Sequence, residues 1–389
     1  MNKNIRRQFK FVLIAAEIIF LFCIPFIIWF LTPPTSLNLM IVDKTVPEVD
    51  LREHRSLFWL LEHIRVVKPS DRSLYDERRD YYGFFPEDSV YSPPTSFDIS
   101  DIDLIYLADT YGIYKSQRGF DEYERILSKK YEPLQLVYGG ITEFEADNLV
   151  KYDSLGRATI GEFNILGYPT NTNPSVKKKV ENIFRVHFTG IWGKYYTNLD
   201  EAPKWIKDLY ERQTRSEWKL KDIGIIIVNQ PEDSGKSKPS IVILDKNDVE
   251  SVPILLKKRE HSIMNGVKSE VPYYYWFEVL QLEPRTEVLA DFNFHCKSSG
   301  KAKLDSAGLP INFPAVIGSG VHLRNFYFAG DFADNKVPTF LSRYWGIEWF
   351  LSVAASLDPA DDQTRFYWDF YVPMMKNIIS YVEEEKVRR

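Results

Sequence analysis

The sequence predicts an α/β protein: an N-terminal transmembrane helix, then a doubly wound, mainly parallel sheet with an additional β-rich segment and C-terminal helices. Three observations predict it. Residues 11–31 read FVLIAAEIIFLFCIPFIIWFL, with Glu17 the only charge. At about 1.5 Å per residue such a run just spans a hydrocarbon core about 30 Å thick. From residue 37 to about 215, strand-like apolar runs alternate with helix-period segments, the pattern of a parallel α/β sheet. Between 220 and 300 the strand-like runs follow one another with few helices between them.

The tail 1–10 carries Lys3, Arg6, Arg7 and Lys10 and no acid. The positive-inside rule puts it in the cytoplasm, which makes 37–389 extracytoplasmic and the chain a single-pass cell-membrane protein. The apolar run is longer than a signal-peptide core, and no small-x-small cleavage site follows it. The lipid bilayer is then a partner through 11–31, and TPPTS at 32–36 is a short rigid linker. The formal net charge of −5 includes that basic tail, so the remainder is more acidic still. This excludes a nucleic-acid partner.

LNLMIVD (37–43) is the first strand. Leu57, Leu60, Leu61 and Ile64 then mark one face of a helix, with Asp50 and Glu53 at capping-box spacing. Residues 68–100 look like an irregular insertion, and IDLIYLAD (102–109) is the next strand. A second excursion follows at 115–138. Thr142 and Glu145 form another capping box, Ala158–Ile160 a strand, and Asn173-Pro174 an N-cap and first helical residue. HFTGIWGKYY reads as a strand and PKWIKDLYERQ as a helix. DIGIIIVNQ, SIVILDK, VPYYYWFEVLQLE and EVLADFNFH read as strands, the third as one central strand buried on both faces. EDSGKSKPS (232–240) and KSSGKAKLDSAG (297–308) read as loops. FPAVIG and NFYFAGDF are strands, and 340–356 and 364 to about 385 are helices.

Ligands on open α/β sheets bind beyond the carboxyl ends of the strands. That rule selects Asp43 and Lys44 with Glu53 and His54, then Asp109, Thr110 and Tyr111, then Glu162 and Asn164, with Asp331 as a further wall. Two carboxylates and a histidine suit general acid–base work, and equally suit holding sugar hydroxyls. Each has a plainer role: Glu53 as a cap, His54 as a surface residue, Asp109 and Asp331 as turn residues, Glu162 as a buried hydrogen-bonding group. No metal site is predicted, because the six histidines lack ligand spacing and Cys23 and Cys296 stand alone. Gly318-Ser319-Gly320 lacks the helix and lysine of a phosphate loop and reads as a hairpin turn, and no cofactor is expected.

DLIYLADTYGIY, GGITEFEADNLVKYDSLGRATIGEFN and FPAVIGSGVHLRNFYFAGDF resemble the class I glutamine amidotransferase-like fold. The likeness is to its ThuA-like and β-galactosidase middle-domain-like branches. It covers about 37–200 and 310–355, with 220–300 as a β-rich insertion or extension. The resemblance implies a nucleophile elbow after Ala158–Ile160. Where that family has its cysteine, this chain has Glu162-Phe163-Asn164, so Cys-dependent glutamine hydrolysis is excluded.

The leading expectation is therefore an extracytoplasmic, catalytically altered amidotransferase-like domain that binds or scaffolds at the cell surface. Carbohydrate is the ligand class that the sugar-related branches and the 15% aromatic content suggest. One alternative is an envelope glycan hydrolase or lyase with Glu162 and Asp109 as acid and base and His54 beside them. The other is a structural subunit of a membrane complex.

Overall fold

A computed structural model describes residues 22–45, 51–85, 90–92, 99–114, 136–231, 238–357 and 363–388, together with Glu17 and Phe20. The larger of its two main sheets is built from strands β1 (Leu39–Asp43), β2 (Tyr82–Phe85), β3 (Val90–Ser92), β4 (Leu104–Asp109) and β5 (Ala158–Gly161). The smaller uses β6 (Val186–Tyr196), β7 (Gly224–Asn229) and β8 (Ser240–Asp245). Next come β9 (Val249–Lys258), β10 (Glu270–Pro272), β11 (Trp276–Leu282), β12 (Glu287–Cys296), β13 (Asn312–Ser319) and β14 (Asn325–Phe328). The ten-stranded sheet has the order β10-β9-β12-β13-β14-β5-β4-β1-β2-β3, and the four-stranded one β8-β7-β6-β11.

Only the middle of the large sheet is parallel, from β14 through β5, β4 and β1 to β2. β13, β12, β9 and β10 continue it antiparallel, and the four-stranded sheet is antiparallel throughout. The doubly wound, mainly parallel sheet predicted from the sequence is thus corrected to a mixed α/β fold with several sheets. The physical cause lies in the connections. A parallel pair needs a crossover of a dozen or more residues, whereas links such as 230–239 and 320–324 allow only antiparallel neighbours. Part of the predicted β-rich segment, β9, β10 and β12, extends the main sheet itself.

The membrane span is also overturned. Among the described residues no helix is long and apolar enough to cross a membrane. Residues 1–16, 18, 19 and 21 lie outside the described set. The described end of the stretch, 22–31, is helical and docks on protein. Trp29 is buried, and its Nε1 donates to Glu62 O at 3.2 Å and His63 O at 3.0 Å. The Arg65 guanidinium covers the Trp29 ring at 5.2 Å and donates to Trp29 O at 3.2 Å. The membrane-anchored, extracytoplasmic organisation and cell-membrane localisation predicted from 11–31 are set aside with it.

Helix α1 (Arg52–His63) follows β1 and buries Leu57, Leu60 and Leu61, as the periodicity predicts. Its N-cap is Leu51, in a left-handed conformation with no side-chain cap bond; Asp50 is outside the described residues. The predicted pairing of Glu53 with Asp50 lies outside the described residues. Helix α2 (Glu143–Ser154) has the predicted reciprocal capping box between Thr142 and Glu145. Helix α3 (Pro174–Phe184) starts from Asn173, whose side chain accepts from Ser175 and Val176 N–H. Helix α4 (Lys204–Thr214) matches its predicted segment.

Two further readings are corrected. VPYYYWFEVLQLE is not one central strand, because it breaks at 273–275 and supplies an edge strand to each sheet. KSSGKAKLDSAG is not a loop; it holds helix α5 (Ser298–Ser306). Its Leu304 is fully buried and Lys303 Nζ reaches Asp248 at 2.5 Å, so tertiary contacts override weak local propensity. Gly318-Ser319-Gly320 opens the predicted hairpin between β13 and β14. Helix α6 (Ile347–Ala355) is shorter than predicted, and α7 (Val372–Arg388) continues a run that begins at Thr364 and includes a π-helical turn, Tyr367–Tyr371. Within the excursion predicted at 115–138, residues 115–135 lie outside the described set, as do 86–89 and 93–98 of the 68–100 insertion and 232–237 of the 232–240 loop.

Candidate functional site

The parallel strands β1, β4, β5 and β14 carry their carboxyl ends to one side of the sheet, and the residues after them meet there. β1 ends in Asp43 opposite Asp109 of β4, while β5 leads into Glu162 and β14 into the loop 329–335. The residues selected by the strand-end rule thus gather on one side of the sheet. The rule does not say which groups are free.

Several candidates are committed to holding the fold. Asp43 is fully buried; it pairs with His54 Nδ1 at 2.6 Å and accepts from Thr45 N at 3.0 Å. His54 is also fully buried, with Nε2 2.9 Å from Glu77 O, so that nitrogen carries its hydrogen. Both ring nitrogens are used in clamping α1 between β1 and residue 77. Lys44 donates to Gly140 O at 2.7 Å and to Glu145 at 2.8 Å, a buried ion pair that ties β1 to the capping box of α2. Thr110 O accepts from Gly140 N at 2.6 Å, and its buried Oγ1 has no hydrogen-bond partner among the described residues. Tyr111 N donates to Asp109 Oδ1 at 2.7 Å, an Asx-type turn. Burial and the neighbouring Asp43 charge push the Asp109 carboxyl up to about 7, the first despite that bond.

The GEFN turn is built tightly. A Cβ on Gly161 would meet Ile165 Cδ1 at 2.4 Å and the Phe184 ring at 2.8 Å, so any larger residue there makes both side chains shift. Asn164 takes φ +71°, a conformation in which Asn is favoured among non-glycine residues. Phe163 stacks on Trp276 at 6.0 Å. Glu162 is buried with both oxygens occupied. One accepts from Tyr106, whose hydroxyl lies 2.9 Å from that of Tyr371. The other accepts from Phe332 N at 3.2 Å and Ala333 N at 3.1 Å. Burial raises the Glu162 carboxyl to about 8, against the pull of those three donors. Glu162 anchors the 331–335 loop, and the Asn164 N–H goes to Glu278, a second buried carboxyl, bonded to Tyr327.

What that loop presents is the open part of the site. Glu53 at the start of α1 and Asp331 and Asp334 on the loop each offer a carboxylate oxygen, all within 4.8 Å of one another. Burial, then the charge of Asp334, holds both Glu53 and Asp331 well above the usual carboxylate range. Arg52 bridges the group at 3.0 Å from Glu53 and 3.2 Å from Asp334, and Tyr275 also donates to Asp334. These three carboxylates are the described residues best placed to hold a hard divalent cation. The Arg52 guanidinium already meets two of them. Lys194 on β6 completes the constellation, its Nζ 4.6 Å from the Trp276 ring, 5.3 Å from Tyr275 and 5.4 Å from Tyr196.

Of the sequence candidates, the structure brings Asp43, His54, Asp109, Glu162 and Asp331 around this cluster, while Lys44 and Asn164 serve the framework. Arg52, Lys194, Tyr275, Trp276 and Asp334 escape sequence reasoning. Asp334 stands three residues beyond Asp331, a signal within reach. Lys194 and Trp276 meet only because β6 and β11 pair in register.

No protein-family model matches the sequence, and no curated protein matches it. Among solved structures it is similar to a protein from Bacteroides uniformis described as ThuA-like, at 12% identity over 90% of this chain and 92% of that one, with a TM-score of 0.36. It is also similar to two proteins of Salmonella typhimurium described as cytoplasmic. One is 12% identical over 89% of this chain and 98% of the other, with a TM-score of 0.35. The second is 11% identical over 89% and 99%, with a TM-score of 0.34.

Proposed function

We propose that the chain binds a polyhydroxylated ligand of the carbohydrate class over the carboxyl ends of its parallel strands, on an amidotransferase-like sheet whose elbow lacks the thiol. The observation that carries this reading is the meeting of Arg52, Glu53, Asp331 and Asp334 beside the rings of Tyr275 and Trp276. Sugar hydroxyls take paired carboxylate and guanidinium partners, and their C–H faces stack on rings. Calorimetric titration with methyl glycosides of glucose, galactose and N-acetylglucosamine tests it. Binding by at least one, lost in Trp276→Ala and Asp334→Ala, supports the reading. Absence of binding up to 10 mM by all three counts against it.

A second reading, acid–base cleavage of the same ligand, is favoured by the crowding of Glu53, Asp331 and Asp334. Three carboxyls so close cannot all ionise, so one is kept as a proton donor while another accepts. In this reading Glu53 and Asp331 do the work, with Asp109 behind them, and Glu162 holds the loop. Hydrolysis of nitrophenyl glycosides, abolished by Glu53→Gln with folding intact, distinguishes turnover from binding alone.

A further inference from the structure

Helix α6 carries apolar residues on every side, and a helix of that kind is ordinarily buried on every side. Here only one face is covered. Ile347 and Leu351 pack against the core, and Ala355 is buried. On the same face the Glu348 carboxylate meets His63 at 2.8 Å and Lys376 at 3.0 Å. The opposite face turns Trp349 and Phe350 to solvent, their rings edge to face at 4.8 Å, with Trp345 exposed one turn earlier.

This face does not end at α6. The Trp345 N–H donates to Pro25 O at 3.2 Å, and the Tyr344 ring lies 6.5 Å from that of Phe26. These contacts lay the helical stretch 22–31 beside α6. Phe22, Phe26 and Phe30 repeat there every four residues, and all three are exposed. The inner side of the stretch is fixed by Trp29, buried against α1. The six exposed rings are between 40% and 71% open to solvent. At roughly 150–250 Å² per aromatic side chain, they present roughly 700 Å² of apolar surface. The largest patch on an ordinary monomer is about 300–600 Å², and one side of a stable interface is about 800 Å².

We propose that this face, formed by α6 and residues 22–31, joins two copies of the chain in a two-fold dimer. Its area is what one side of such an interface needs, and a second copy brings an equal area of the same rings. The rim agrees. Glu62 pairs with Arg343 at 2.7 Å and Glu348 with Lys376, while Arg65 lies over the Trp29 and Phe30 rings at 5.2 and 5.8 Å. Aromatic rings in the middle, with arginines and charges of both signs at the edge, make the composition of a protein–protein contact. A bilayer surface is met instead by a polar face rich in Lys and Arg, whereas Arg343 and Lys376 are matched here by Glu62 and Glu348.

The dimer is independent of the ligand proposed above. Helix α1 carries Arg52 and Glu53 into the cleft over the strand ends at its first turn and Glu62 to the rim at its last, about 15 Å away. A copy docked at the rim end leaves the cleft free.

Sedimentation velocity of the whole chain between about 1 and 100 µM tests it, with flotation on phosphatidylcholine–phosphatidylserine vesicles alongside. Wild type should sediment at twice the chain mass at the top of that range. Trp349→Asp sets like charges against each other across the two-fold and should weaken the dimer at least a hundredfold. Leu155→Asp, at the exposed end of α2, should change nothing. Both positions are exposed, so both variants should keep the wild-type urea midpoint. If Trp349→Asp does not fold, Trp349→Ala makes the same comparison, with at least a tenfold weakening expected. A wild-type monomer across the whole range overturns the proposal, with no variant needed. A monomer that floats with the vesicles also overturns it and assigns the face to lipid. A dimer that survives a folded Trp349→Asp overturns it as well, because the copies then meet elsewhere.

Discussion

Two sets of carboxyls meet around the carboxyl ends of the parallel strands and behave differently. Glu162 and Glu278 are buried, and each faces a tyrosine hydroxyl and backbone N–H groups. Glu53, Asp331 and Asp334 face one another, with Arg52 and Tyr275 as their donors. The first set is satisfied by the framework, so its protonation is a folding matter. The second is under-compensated, and a ligand that supplies hydrogen bonds gains there what the protein leaves unmade. The contrast teaches that burial and a raised pKa alone do not mark a site. The partners of the carboxyl decide.

The sharpest way to break this comparison is to remove the anchor. Glu162→Ala strips partners from Phe332 N, Ala333 N and Tyr106 in a closed interior. It should cost roughly 3–5 kcal/mol, read as a lower urea midpoint, because buried donors lose their acceptor and a cavity opens. Glu162→Gln keeps one oxygen for the two amides and should cost about half as much. If Glu162→Ala is as stable as wild type while the cleft loses its ligand, Glu162 belongs to the second set and the division is wrong.

The next effect is on pH. Glu162 and Glu278 are both raised to about 8 in the fold. Between the unfolded carboxylate range, near 4.3, and about 8, the folded chain holds protons that the unfolded chain has released. Their contribution to stability is therefore full below about 4.3 and is lost as pH rises to about 8, with a slope of up to roughly 1.4 kcal/mol per pH unit for each group. Denaturation across pH 4–9 should show the fall, and Glu162→Gln or Glu278→Gln should each remove part of the slope. A curve unchanged in both variants would show that neither group carries the proton.

Much of the framework was legible because its signals are local. The Thr142–Glu145 box, the Asn173-Pro174 start and the Leu57–Leu60–Leu61 face need only neighbouring residues to act. Asn173→Ala should accordingly cost about 1 kcal/mol by thermal melting, with no effect on the cleft. The strand-end rule also reached Asp109, Glu162 and Asp331. What it missed depends on long-range pairing. Lys194 reaches its cage through β6–β11 register, and Glu162 meets the amides of Phe332 and Ala333 across 170 and 171 positions of sequence. The apolar run at 11–31 misled for a related reason. Hydropathy counts residues, and it could not foresee that Trp29 would be buried against α1.

The smallest expected effect tests the open set most directly. Glu53→Gln removes one of three mutually repelling carboxylates but leaves a side chain of the same shape. Arg52 loses a partner at 3.0 Å and keeps Asp334 at 3.2 Å. Attraction lost and repulsion relieved offset each other within this largely buried cluster, so stability should change by about 1 kcal/mol or less, in either direction. Ligand affinity should fall tenfold or more, since a hydrogen bond to a charged acceptor is worth roughly 1.5–3 kcal/mol. Stability and binding thus separate at Glu53, whereas at Glu162 they should fall together. If Glu53→Gln unfolds the chain as Glu162→Ala does, the two sets are one network, and the cleft has no carboxyl left over for a ligand.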